Sequence, residues 1–165
     1  MKIKRLIKHL LLPPWLTRRT FSPAVMARIE DAVKRSEQLH RGELRVVIEA
    51  SLDFGPLLRG QSPRERACEV FAELGVWDTA ANSGVLLYIN HADRDIEIVA
   101  DRGINARVTQ AQWEAICRSI ELEFREHRFE AGLLEGIRQI TGLLTRHFPA
   151  TGDNPDELGN RPILL

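Results

Sequence analysis

The stretch GVLLYIN, residues 84–90, constrains the fold more than any other part of the chain. Seven residues without a charge, bounded by glycine and asparagine, read as a strand covered on both faces. Such a strand needs a layer on each side. A short polar turn, residues 91–94, separates it from DIEIVA, so the two form an antiparallel hairpin. In the second strand Ile96, Ile98 and Ala100 fall on one face, and Asp95, Glu97, Val99 and Asp101 on the other. That mostly acidic face is either a solvated surface or one wall of a site.

The flanking segments supply the layers. Ser22 and Pro23 read as an N-cap and first helical residue, followed by an apolar stripe of Val25, Ile29, Val33 and Leu39. GELRVVIEA follows as a β-branched strand with Leu44, Val46 and Ile48 on one face. SPRE at residues 62–65 is a capping box opening a helix that turns Ala67, Val70, Phe71 and Leu74 inward and stops at Gly75. Thr109 and Gln112 open a helix carrying Trp113, Ile116, Cys117, Ile120 and Phe124, and a last helix runs over about residues 129–148. Gly132 and Gly136 lie one turn apart on it, which suits close packing against a neighbour. The expected architecture is α/β: a three-layer αβα sandwich around a small mixed β-sheet.

A chain of 165 residues with 44% hydrophobic and 28% charged side chains is one soluble domain. The expected divisions are a basic arm over residues 1–20, a domain over 21–149 and a polar tail over 150–165. The formal net charge of zero gives no field that would draw nucleic acid, so no nucleic-acid partner is expected. Cys68 and Cys117 belong to no CxxC or Cys/His array and are expected as buried reduced thiols, consistent with a cytoplasmic protein. In the arm, Lys8 and His9 interrupt the apolar run and Pro13 and Pro14 end it, unlike a signal peptide or a spanning helix. Two readings stand for it. One is a docked or frayed arm that adds little to the core. The other is an amphipathic segment, Leu6, Leu10 and Trp15 against Lys2, Lys4, Arg5, Lys8, Arg18 and Arg19, making weak peripheral contact with an anionic membrane.

Topology brings distant residues together. The first strand reaches the second through a helix, so the two run parallel and start at one edge of the sheet. The antiparallel third strand ends there. Glu43, Asp78, Asn82, Ser83, Asp101, Arg102 and Asn105 therefore meet at that edge. Carboxylate and amide oxygens on loops suit calcium or magnesium. Each residue also has a structural reading: Asp78 and Asn82 as loop caps, Asp101 in an Asx-turn, Arg102 as their neutralising cation. No GxSxG, P-loop, GxGxxG or HExxH occurs. The histidines sit mostly at element ends, and Arg59, Arg64 and Arg66 near a helix start read as a solvated charged face.

The segment ELGVWDTAANSGVLLYINHADRDIEIVADRGINARVTQAQW, continued by EFREHRFEAGLLEGI, resembles the TPM domain, a family named for thylakoid lumen, photosystem and levamisole-receptor-modulating members. The resemblance spans about residues 21–148, and DNPDELGNRPILL resembles the ends of a bacterial subgroup. It implies an α/β sandwich with a mixed sheet, divalent-cation binding, and in some members phosphatase activity; others act as accessory or assembly proteins with protein partners. It carries a metal site onto Asp78 and Asp101, joined here by Asn82 and Glu43. Many relatives have Asp-Asn where this chain has Asn82 and Ser83, so one charge is lost. The expected function is a divalent-cation-binding accessory or interaction module. The alternative is a metal-assisted phosphomonoesterase with Arg102 stabilising charge, for which the sequence offers no convincing nucleophile or base.

Overall fold

The computed structural model describes residues 2–151 and 157–165. In chain order the elements are α1 (Lys2–Leu11), α2 (Pro14–Thr20), α3 (Pro23–Glu37), β1 (Glu43–Glu49), α4 (Phe54–Arg59) and α5 (Pro63–Glu73), then β2 (Gly84–Asn90), β3 (Asp95–Ala100), α6 (Arg102–Asn105), α7 (Gln110–Arg125), α8 (Phe129–His147) and β4 (Ile163–Leu164). The sheet order is β3-β2-β1-β4. β1 runs parallel to β2 and β4, and β2 pairs antiparallel with β3. This is the expected mixed sheet between helices.

Alternation along the strands builds two cores. Leu44, Val46, Ile48, Val85, Leu87, Ile89, Ile96 and Ile98 join the inner faces of α3, α7 and α8. On the other side Val47, Leu86, Tyr88 and Val99 pack with Ala67 and Val70 of α5. The helix starts are where the sequence places them. Ser22 Oγ accepts the Val25 N–H, and both capping boxes form, at Ser62 with Glu65 and at Thr109 with Gln112. A Cβ on Gly136 would stand 2.4 Å from Ile120 Cδ1, and one on Gly132 would stand 2.9 Å from Glu123 Cβ, so the two glycines let α8 close onto α7.

Two expectations change, and the arm gains detail. The C-terminal segment, read as a polar tail, returns to the sheet: Ile163 and Leu164 pair with Val47 and Ile48, and Leu158 packs on the smaller core. Residues 152–156 of that segment lie outside the described residues. The arm forms two docked helices and contributes buried polar contacts, although none of the α1 apolar residues enters either core. His9 Nδ1 accepts the Leu52 N–H at 2.9 Å, which leaves the proton on Nε2, 3.1 Å from Asp93 Oδ2. Arg5 donates to Asp93 and to the Gln61 carbonyl, and Thr17, fully buried, shares a hydrogen bond with His91 Nδ1. Finally, Cys68 is exposed, because it falls on the outer side of α5. Cys117 is half-buried, its thiol pushed up to about 12 by burial and by Glu97 and Glu121.

Candidate functional site

The sheet edge at the starts of β1 and β2 gathers most of the expected residues. Glu43 pairs with Gly84 across β1 and β2, and the Asp101 N–H donates to the Gly84 carbonyl at 2.8 Å. Glu43, Gly84 and Asp101 therefore form one row on one face, with the glycine between two acids. The middle of that row is filled. A Cβ on Gly84 would lie 1.8 Å from the Val76 carbonyl oxygen, so the loop before β2 rests directly on the glycine. The space that the missing side chain would leave is therefore occupied by backbone. Among the described residues, no group of three or more histidines, cysteines or acids is arranged to hold a metal.

Each acid is used differently. Glu43 is buried, and its Oε2 accepts the Leu158 N–H at 3.1 Å, tying the C-terminal segment over the edge. Glu157 reaches the same edge, its Oε2 accepting the Ala80 N–H at 2.9 Å. Asp78 is exposed on the loop, its N–H donating to the Gly75 carbonyl. Asp101 caps α6: its Oδ1 accepts the Arg102 N–H at 2.7 Å. Its Oδ2 is buried and has no hydrogen-bond partner among the described residues, and the same holds for Ser83 Oγ. Two orphaned oxygens at one edge are the feature of this site that the local fold does not account for.

Asn82 has a backbone reason for its identity. Its φ of 50° is left-handed, a conformation asparagine tolerates better than most residues. Its carbonyl accepts the Gly103 N–H, and its Oδ1 accepts from Arg102 Nε at 3.1 Å. The Ala81 and Asn82 carbonyls lie 2.8 and 2.5 Å from where a Cβ on Gly103 would be. Asp101, Ser83 and Asn82 and the Ala81 and Asn82 carbonyls bring carboxylate, hydroxyl, amide and backbone oxygens to this edge, alongside the Arg102 guanidinium on the Asn82 amide. Those oxygens suit a hard divalent cation, with water completing the shell, and Asp101, Ser83 and Asn82 would hold it. Asn105 instead supports the local frame, donating to the Ala100 carbonyl and accepting from Trp113 Nε1.

The acidic face of β3 is not one wall. Val99 lies in the smaller core, whereas Asp95 and Glu97 line a cleft with α7, about 360 Å³, that also contains Glu114, Glu121 and Arg64. Burial and the charges of Glu97, Glu121 and Asp93 push the Asp95 carboxyl up to about 6. Arg64 donates to Glu97 and to the Ile98 carbonyl, covering part of the free strand edge.

Sequence reasoning did not anticipate the polar network at the opposite end of the sheet. Tyr88 donates its hydroxyl to Glu49 Oε2, Arg66 Nε donates to both Glu49 oxygens at 3.2 Å, and Asn90 Nδ2 approaches the Tyr88 hydroxyl at 3.5 Å. Burial, then the Glu49 carboxylate, raise the Tyr88 hydroxyl well above its ordinary range. A tyrosine inside a doubly covered strand needs a hydroxyl partner, and that was the available signal. Arg66 is therefore part of this network and not a solvated cation.

Comparison with known proteins agrees with the fold. A model of the TPM domain matches residues 17–143. The NMR structure of the BA42 protein from the psychrophilic bacterium Bizionia argentinensis superimposes with a TM-score of 0.77 at 30% identity, over 87% of this chain and 94% of that one. No curated protein compared with the chain matches it.

Proposed function

The chain belongs to the TPM domain family, and from that premise we propose that it is a non-catalytic module that binds calcium or magnesium through Asp101, Asn82 and Ser83. The observation that carries the reading is the buried Asp101 Oδ2, a carboxylate oxygen without a hydrogen-bond partner beside a loop of carbonyl oxygens. Leaving such an atom unpaired costs about 1–3 kcal/mol, and a bound cation would offset that cost. With a single carboxylate in the immediate donor set, binding belongs in the weak range, roughly 0.1–1 mM. Asp78 and Glu157 add negative charge to the same edge. Exposed Trp77, adjacent to Asp78, gives the loop an aromatic contact for a protein partner.

A phosphatase needs an accessible nucleophile paired with a base, and the hydroxyl–histidine pairs Ser36–His40 and Thr17–His91 are buried, which favours the binding reading. Ser83 Oγ has no base beside it, and the Arg102 guanidinium is engaged with the Asn82 amide. Calorimetric titration with calcium and with magnesium, alongside turnover of a generic phosphomonoester with and without either ion, tests the proposal. Saturable weak binding without turnover is the expected result. Metal-dependent turnover lost in Asp101→Asn would replace this reading with the enzymatic one.

A further inference from the structure

The helix α1 is docked the wrong way round for a soluble protein. A surface helix ordinarily buries its apolar stripe and shows water its polar side. Here Arg5 and His9 face the domain, on Asp93, Gln61 and Leu52, while Ile3, Ile7, Leu10 and Leu11 lie away from those contacts, Ile7 and Leu11 flanking a cleft of about 740 Å³ beside His91 and Phe129. At spacings of four, three and one, these four lie on one side of a helix, and each is between 47% and 73% exposed. Trp15 at the start of α2 is 61% exposed. The neighbouring α4 leaves Phe54 and Leu58, one turn apart, exposed as well. Most of the molecule's exposed large apolar side chains are thus concentrated on these three helices. An apolar patch of this kind marks an interaction surface.

Charge identifies the occupant. Residues 2–20 contain no acid, and Lys4, Lys8, Arg18 and Arg19 are exposed around the stripe. Lysines flanking an apolar helical face can extend to phosphate groups while the stripe enters the acyl boundary, and tryptophan favours that interface. A ten-residue helix is about 15 Å long, half the thickness of a hydrocarbon core, so it lies in the plane of the surface. No helix of the described residues is long and apolar enough to cross a membrane. We infer that α1 and α2, held by their polar side to the Asp93 end of the domain, dock the protein on a bilayer rich in anionic lipid. The Arg5 and His9 contacts to Asp93 and Leu52 fix the stripe facing outward before any lipid is met. This inference is independent of cation binding at the opposite sheet edge.

The full chain is tested for cosedimentation with vesicles of phosphatidylcholine alone and of equal parts phosphatidylcholine and phosphatidylglycerol. In a Trp77→Phe background Trp15 is the exposed reporter, because Trp113 is buried. The expected result is binding to the anionic vesicles with a blue shift of Trp15 emission, and at least ten-fold weaker binding to the neutral ones. Leu10→Glu with Leu11→Glu should abolish binding without moving the melting temperature, since both side chains are exposed. Lys4→Glu with Lys8→Glu should weaken it about ten-fold or more. Failure to bind anionic vesicles overturns the inference. So does binding that survives the Leu10 and Leu11 substitutions, or a solution dimer that those substitutions dissociate in a chain that ignores vesicles.

Discussion

The carbonyl oxygen of Val76 stands where a side chain on Gly84 would begin, 1.8 Å from the position of a Cβ. This contact determines the character of the sheet edge. It brings the loop of residues 74–83 down between Glu43 and Asp101, separates the two acids, and leaves Asp101 as the carboxylate with an unpartnered oxygen. Any Cβ must displace backbone there. Gly84→Ala is expected to destabilise the fold by about 3 kcal/mol or more, measured by urea denaturation. A loss below about 1 kcal/mol would mean that the loop moves aside easily.

Tyr88→Phe tests the network at the far end. It removes one donor to Glu49 while leaving the ring volume, so the cost should be about 1–2 kcal/mol, with the Arg66 contact preserved. An unchanged denaturation midpoint would show that water replaces the hydroxyl.

Acid should loosen the helical side through two buried histidines. Burial pushes both His40 and His91 down to about 4; Arg94 also disfavours charge on His91. Unfolded, each takes a proton near pH 6.5; folded, neither does until about 4, so the unfolded state binds more protons between these values. Stability is therefore fully present above about pH 6.5 and is lost as pH falls toward 4, by roughly 2 kcal/mol for each histidine. Asp95 acts in the opposite direction. Its raised carboxyl makes the folded state bind more protons between about 4 and 6, so its ionisation is a penalty that acid removes. Melting curves of His91→Gln should be less steep in pH over this window than those of the parent, and Asp95→Asn should gain about 1 kcal/mol near neutrality after screening. Identical pH slopes in His91→Gln and the parent would exclude the histidine as a source.

How much of this was legible in the sequence follows from the range of the forces involved. The doubly buried β2, the hairpin, both capping boxes and the glycine pair on α8 are local or periodic signals, and the structure has each of them. The crossover rule also placed Glu43, Asn82 and Asp101 at one edge. The Val76 carbonyl was not legible, because a backbone atom filling the space over a glycine leaves no residue-type signal. Nor was the return of the C-terminal segment: Leu158 reaching Glu43 is a contact across 115 residues, made by a stretch whose composition reads as a tail. Amphipathicity in the arm was legible, but as Leu6, Leu10 and Trp15; the outward stripe of α1 is Ile3, Ile7, Leu10 and Leu11. Its orientation depended on Asp93, which only the fold brings to Arg5 and His9.

Arg102 supplies a test in the opposite direction from a ligand deletion. Its guanidinium engages Asn82 Oδ1 and places positive charge beside Asp101. Arg102→Gln should therefore tighten calcium binding several-fold, read by calorimetry. Weaker binding would make the guanidinium part of what shapes the site.

The most direct measurement compares calcium titrations of the parent, Asp101→Asn and Asp95→Asn, followed by heat and by the rise in melting temperature that preferential binding to the folded state requires. The two acids lie toward opposite ends of β3, and only Asp101 pairs with the Gly84 row. The titrations are run at pH 7.5, above the value to which burial pushes the Asp95 carboxyl, so that Asp95→Asn also removes a charge. Weak saturable binding in the parent, a loss of about ten-fold or more in Asp101→Asn and little change in Asp95→Asn are expected. Equal losses in the two variants, or a parent whose melting temperature does not respond to calcium, would rule out a cation site at Asp101.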